Sequence, residues 1–219
     1  MATFVLIHGA GGRGSDWGLV ADELRAAGHE VLAVDLPCDD ESAGLAEYRE
    51  AVLDVIGDRR DDLVLVAQSL AGFTAPLVAD RVPVERIVLV TAMIPKPGET
   101  GDDWWVNTGT ADAIKAQGLP DDAELFVHDV PPHVLEAMEP PRDQTGTPMG
   151  EPWPLDAWPD VPTTFLLCKD DRFFPRDWMR EIVRERLGIE PVEVPGGHCA
   201  YLSQPKALAA AILQARDQI

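Results

Sequence analysis

Cysteine is scarce: only Cys38, Cys168 and Cys199 occur in 219 residues. The number is odd and no two lie close in sequence. That argues against a disulfide framework and for a reducing compartment. Long apolar runs are missing too. The opening MATFVLIHGA has no basic n-region, and its apolar run is too short for a signal peptide or a membrane span. A cytoplasmic protein with no membrane role is the expectation. Positive charge is the third shortage. Lys and Arg total 18 against 38 Asp and Glu, for a formal charge of −20. Such a surface repels phosphate backbones and anionic lipid, so nucleic acid is not an expected partner.

What is present is an alternation of short apolar runs with helical patterns. Residues 3–7, 30–37, 62–68 and 86–92 read as strands, and 15–28, 43–57 and 70–82 as the helices between them. Residues 95–162 break the rhythm, with twelve of the nineteen prolines and four of the six tryptophans. This segment reads as an inserted cap with short helices near 110–117 and 131–138, leaving 1–94 and 163–219 as the core. Order returns with a strand at 163–169, a helix at 176–188, a strand at 191–195 and a closing helix near 205–217. Strands this apolar are buried on both faces, which predicts an α/β fold with a parallel sheet covered by helices. Ligands of such sheets bind beyond the carboxyl ends of the strands, so those ends carry the functional candidates.

After the first strand comes HGAGGRG, residues 8–14. Gly9, Gly11 and Gly14 satisfy G-x-G-x-x-G, and Asp35 follows at about the distance a dinucleotide fold requires. A Rossmann-type, NAD(P)-dependent oxidoreductase is therefore one reading. It leaves His8 unexplained, and no Tyr is followed four residues on by Lys: Tyr48 has Val52 there and Tyr201 has Pro205. The other reading is an oxyanion loop, in which a glycine-rich turn aims a free backbone N–H at a carbonyl oxygen.

After the third strand comes AQSLAG, with Ser69 at the apex. The nucleophile-elbow pattern is G-x-S-x-G, and here Ala67 and Ala71 replace both glycines. The geometry asks for small side chains at those places, so two methyl groups weaken the pattern without breaking it. A lone serine before a helix is more often an N-cap. The remaining strand ends supply Asp170 and Asp171 in CKDDRFFP, and His198 in GGHCAYLSQP. Ser69, then Asp170 or Asp171, then His198 is the chain order of an α/β-hydrolase triad rather than of chymotrypsin or subtilisin.

With FVLIHGAGG, LVLVAQSLAG, CKDDRFFP and GGHCAYLSQP in that order, the whole chain resembles the α/β-hydrolase superfamily. Within it the chain looks most like the plant methyl esterases and hydroxynitrile lyases. The resemblance implies six parallel strands in the order 2-1-3-4-5-6, the first strand here matching the family's third. It implies Ser69 as nucleophile, His198 as base and the N–H groups of Ala10 and Leu70 as oxyanion donors. Asp171 is the implied acid, because the family often has Pro four residues on, as Pro175 is here. The similar hydroxynitrile lyases carry Lys directly after the histidine. Cys199 stands there in this chain, so hydrolysis is implied rather than cyanide chemistry.

The expectation is a serine hydrolase that cleaves small to medium, partly apolar carboxylic esters, with no cofactor and no metal. The alternatives are the oxidoreductase above and a non-catalytic ligand-binding member of the fold. Trp104, Trp105, Trp153 and Trp158 either line the pocket or fasten the cap to the core. His128 and His133 invite a metal, but without a third ligand they read as packing or surface residues. Cys199 reads as a small buried residue more readily than as a reactive thiol.

Overall fold

The computed structural model describes residues 1–119 and 123–217; residues 120–122 of the expected cap lie outside the described ones. Six strands form one sheet: β1 (Thr3–Ile7), β2 (Glu30–Val34), β3 (Leu63–Gln68), β4 (Arg86–Val90), β5 (Thr163–Cys168) and β6 (Val192–Val194). Their order is β2-β1-β3-β4-β5-β6, and every pair is parallel.

The two sheet faces are built by simple alternation. Val5 and Ile7, Leu65 and Ala67, Ile87 and Leu89, Phe165 and Leu167 enter one apolar cluster. Phe4 and Leu6, Val64 and Val66, Val88 and Val90, Leu166 and Cys168 enter the other. A strand apolar at every position therefore sits between two layers of helix, as a parallel sheet requires. The first layer holds α2 (Leu45–Ile56), α3 (Ala75–Ala79) and, further along the chain, α9 (Arg176–Leu187). The second holds α1 (Gly18–Ala26) and, after the short α10 (Ala200–Ser203), α11 (Pro205–Asp217).

Two expected helices start differently. Gly14–Trp17 and Ser69–Gly72 are single 3-10 turns placed before α1 and α3. The segment read as one helix over 70–82 is thus split, with Pro76 at the start of α3, where its missing N–H costs nothing. Strand β2 ends at Val34, three residues short of the expected end at 37. Beyond it the N–H of Leu36 is bonded to the His8 ring instead of to a strand.

Between β4 and β5 runs a stretch of short helices: α4 (Gly101–Asn107), α5 (Thr110–Lys115), α6 (Ala123–Phe126), α7 (Pro132–Ala137) and α8 (Thr147–Gly150). Its first turn is tied down by an ion pair between Glu99 and Arg186 of α9, with side chains only 4% and 2% exposed. At its far end Glu151 accepts the Leu45 N–H at 2.7 Å, placing a carboxylate on the N-terminus of α2.

Candidate active site

The sheet's switch point lies between β1 and β3, where connections leave to opposite sides. Ile7 pairs with Ala67, so continuing that register by two residues sets Gly9 beside Ser69. A methyl group on Gly9 would overlap Gln68 Oε1 and lie 2.8 Å from the Ser69 Cβ. Glycine there answers a steric demand of the Gln68–Ser69 turn.

Ser69 adopts φ = +53°, a left-handed conformation that is uncommon outside glycine. The strain is held from two sides. Gln68 in the last position of β3 donates its amide to the His198 carbonyl at 3.2 Å, and the Met93 N–H donates to the Ser69 carbonyl at 2.9 Å. The methyl groups of Ala67 and Ala71 are fully enclosed. The position that tolerates no side chain is Gly72, where a Cβ would overlap the Met93 carbonyl. The tight approach of turn to sheet therefore falls one residue later than the usual pattern places it.

His198 Nε2 lies 3.1 Å from Ser69 Oγ, and its Nδ1 lies 2.9 Å from Asp171 Oδ2. All three residues are buried, Ser69 at 7% exposure. Asp171 Oδ1 accepts the N–H groups of Phe173 (2.8 Å) and Phe174 (2.9 Å). Its Oδ2 also accepts the Thr91 hydroxyl. Four donors thus converge on one carboxylate. Asp170 is exposed and does something else: its Oδ2 accepts the Gly196 N–H at 3.1 Å, joining the end of β5 to the loop before His198. Thr91 went unread in the sequence. It lies at the end of β4, fully buried, with φ = +40°. A β-branched residue in that region is a true outlier, but only the structure reveals the angle.

In the glycine loop the N–H groups after Ala10 are taken. The Gly11 N–H goes to Gln144 Oε1 (3.2 Å) and the Gly12 N–H to the Gly9 carbonyl (3.3 Å). No acceptor takes the N–H of Ala10, nor that of Leu70, among the described residues. His8 is committed to architecture. Its Nδ1–H donates to the Gly9 carbonyl at 2.7 Å, and its Nε2 accepts the Leu36 N–H at 3.0 Å. Burial lowers its pKa, which keeps the ring neutral and able to accept. Asp35 accepts the Gly14 N–H at 2.8 Å and so closes a strand-end turn.

Three phenylalanines surround the His198 ring edge-on, with centroids at 4.8 Å (Phe173), 5.1 Å (Phe174) and 5.5 Å (Phe126). The Cys199 thiol is pushed up to about 12, chiefly by burial, and carries no thiolate at neutral pH. A cavity of about 640 Å³ adjoins the site through Ala10 and Cys199, and Phe126, Leu135, Met138 and Leu202 line it further out. Ser69 itself is not among the lining residues. None of the four tryptophans of 95–162 lines that cavity. Trp104 and Trp153 are fully buried and donate to the backbone carbonyls of Ile94 and Phe73. Both fasten the segment to the core. His128 donates to the Asp170 carbonyl and His133 is exposed. No cluster of three or more His, Cys, Asp or Glu side chains suited to a metal occurs among the described residues. No helix among them is long and apolar enough to cross a membrane.

The profile described as "Alpha/beta hydrolase family" matches residues 4–211. A pyrethroid hydrolase of Sphingobium wenxiniae is 28% identical, with 97% of this chain and 87% of that protein covered. Methylesterase 7 of Arabidopsis thaliana is 26% identical over 98% of this chain and 96% of its own. The crystal structure of a pyrethroid hydrolase from Sphingobium faniae JZ-2 superposes with a TM-score of 0.81 at 26% identity, covering 99% of this chain and 97% of that one.

Proposed function

The chain belongs to the alpha/beta hydrolase family, and from that premise we propose that it cleaves carboxylic esters through a Ser69–His198–Asp171 triad. The observation that carries the reading is the unbroken hydrogen-bonded chain from Ser69 Oγ through His198 to Asp171. Relatives named as a pyrethroid hydrolase and a methylesterase support the ester class.

His198 Nε2 takes the Ser69 proton as Oγ attacks the ester carbonyl. Asp171 keeps the other ring proton on Nδ1 and balances the imidazolium that forms. The N–H groups of Ala10 and Leu70 receive the oxyanion; one such donor is usually worth about 2.7–4 kcal/mol. His198 then protonates the departing alcohol. Water repeats the sequence on the acyl-enzyme, releasing the acid and restoring Ser69. The segment 95–162 serves as a cap. Its apolar side chains in the adjoining cavity favour small to medium, partly apolar esters. The buried free thiols suit a reducing compartment such as the cytoplasm, and the acidic surface suits a small-molecule partner rather than nucleic acid.

Incubation with a fluorophosphonate followed by intact-mass measurement tests the reading. One adduct on the wild type and none on Ser69→Ala is expected. An unlabelled wild type, or an adduct that survives Ser69→Ala, overturns it.

A further inference from the structure

HDVPPH carries two histidines, His128 and His133, and no metal cluster forms around them among the described residues. Its first two residues do something more specific. His128 Nε2 donates to the carbonyl of Asp170 at 3.0 Å. Asp129 Oδ2 accepts the N–H of Gly197 at 2.7 Å. Asp170 directly precedes the proposed acid, Asp171, and Gly197 directly precedes the proposed base, His198. Two adjacent residues of the inserted segment thus hold, one each, the backbone positions next to the two partners of the Asp171–His198 bond. Two residues earlier in the same stretch, Phe126 packs against the His198 ring itself.

Three further observations favour a dedicated arrangement over incidental packing. Gly197 sits directly under both side chains: a Cβ there would lie 2.8 Å from Asp129 Oδ1 and 2.9 Å from His128 Nε2 and would displace their ends. The two gripped loops are already tied to each other, the Asp170 N–H to the Gly196 carbonyl and the Gly196 N–H to Asp170 Oδ2. The insertion therefore seats on a small preassembled platform. Finally, Asp129 Oδ1 is buried without a hydrogen-bond partner among the described residues. A buried carboxylate oxygen left unmatched is destabilising, which is poor design for a contact that serves stability alone.

We propose that His128 and Asp129 are positioning residues: they clamp the acid and base loops at the separation the triad needs, so that triad geometry depends on the insertion being seated over the site. This rests on the serine-hydrolase reading above. It adds that the insertion shapes the chemistry as well as the substrate pocket. Neither residue touches a reacting atom. Their loss lowers kcat and the rate of serine labelling, because small displacements between reacting groups can cost up to about 100-fold. KM, set elsewhere in the pocket, changes little.

The test compares wild type, Asp129→Ala, Asp129→Asn and Gly197→Ala. Readouts are ester kinetics, the rate of fluorophosphonate labelling, thermal melting, and the low-field NMR proton of His198 Nδ1–H, which needs no substrate. The expected result for Asp129→Ala is a loss of about 10- to 100-fold in kcat and labelling rate. KM stays within about threefold, melting is unchanged or higher, and the low-field proton is broadened or lost. Asp129→Asn, whose amide oxygen can still accept from Gly197, restores most of the rate. Gly197→Ala, which pushes the clamp from the other side, behaves like Asp129→Ala. Wild-type labelling together with an undiminished Asp129→Ala overturns the clamp and leaves the serine-hydrolase reading intact. If the wild type itself is not labelled, that reading falls, and the low-field proton alone decides. Its persistence in Asp129→Ala refutes the clamp, and its selective loss supports it.

Discussion

Gly72 and Thr91 show how much a single backbone position can carry. Gly72 faces the Met93 carbonyl with no space for a methyl group, so Gly72→Ala must move either the turn after Ser69 or the end of β4. Overpacking of that kind costs about 1–3 kcal/mol, and here it also displaces the proposed nucleophile. Urea unfolding is expected to show the loss, and serine labelling to slow with it. By contrast, Ala71→Gly, which moves the sequence towards the usual elbow pattern, is expected to leave labelling within about twofold. It should cost about 0.5–1 kcal/mol through added chain entropy. Thr91 keeps a positive φ that costs about 1–3 kcal/mol. In that conformation its hydroxyl reaches Asp171 Oδ2 and its N–H the Leu166 carbonyl. Thr91→Val preserves shape and branching but removes the donor. A fall of about tenfold in kcat with KM unchanged is expected, and Thr91→Ser should recover most of it. Equal kinetics for Val and Thr would show the hydroxyl to be dispensable.

At the scale of elements, the ion pair that anchors the insertion invites a pH experiment. Burial alone would raise the Glu99 carboxyl. Hydrogen bonds from Arg186, Asn107 and the Lys96 N–H outweigh burial and hold it below the ordinary glutamate range. A depressed carboxyl contributes stability above its unfolded value, about 4.3, and loses it as pH falls through the folded value. Stability measured from about pH 6 down to about pH 3 is therefore expected to fall more steeply in wild type than in Glu99→Gln. Arg186→Met leaves Glu99 buried and unpaired, so a loss of about 3–5 kcal/mol at neutral pH is expected. The same scale separates what the sequence discloses from what it hides. The strands were legible because runs such as LVLVA, which follows Asp61 and Asp62, are short and apolar at every position. The closing helix, expected near 205–217, spans Pro205–Asp217 among the described residues. Within 95–162 the helices expected near 110–117 and 131–138 appear as α5 and α7, but the others were not readable in this way. Helices α4, α6 and α8 span seven, four and four residues, too few turns to display a period. Their order comes from distant contacts, such as the indole N–H of Trp153 on the Phe73 carbonyl. Likewise the candidates Ser69, Asp170 or Asp171, and His198 could be named from their strand ends, the preference for Asp171 coming from the family resemblance. Gln68, Thr91 and Asp129 could not, because what matters in each is a partner far along the chain.

At the scale of the whole molecule, the −20 charge bears on which esters reach Ser69. The field of 38 carboxylates against 18 cationic side chains extends into solvent over about 8–10 Å at moderate ionic strength. It is reinforced in the cavity wall. There Asp16 and Glu139 stand with one lining cation, Arg13, whose Nε lies 3.3 Å from Glu139 and whose backbone N–H is bonded to Asp16. One cation beside two carboxylates leaves the wall negative. An ester carrying a free carboxylate meets repulsion on approach, whereas a neutral ester of the same size does not. Screening removes that difference. Raising salt from about 10 to about 150 mM is therefore expected to increase kcat/KM for the anionic ester about twofold or more, leaving the neutral ester unchanged. Glu139→Gln should raise the low-salt value for the anionic ester alone and flatten its salt dependence. A salt response shared equally by both esters would place its origin in the protein's stability rather than in the approach of substrate.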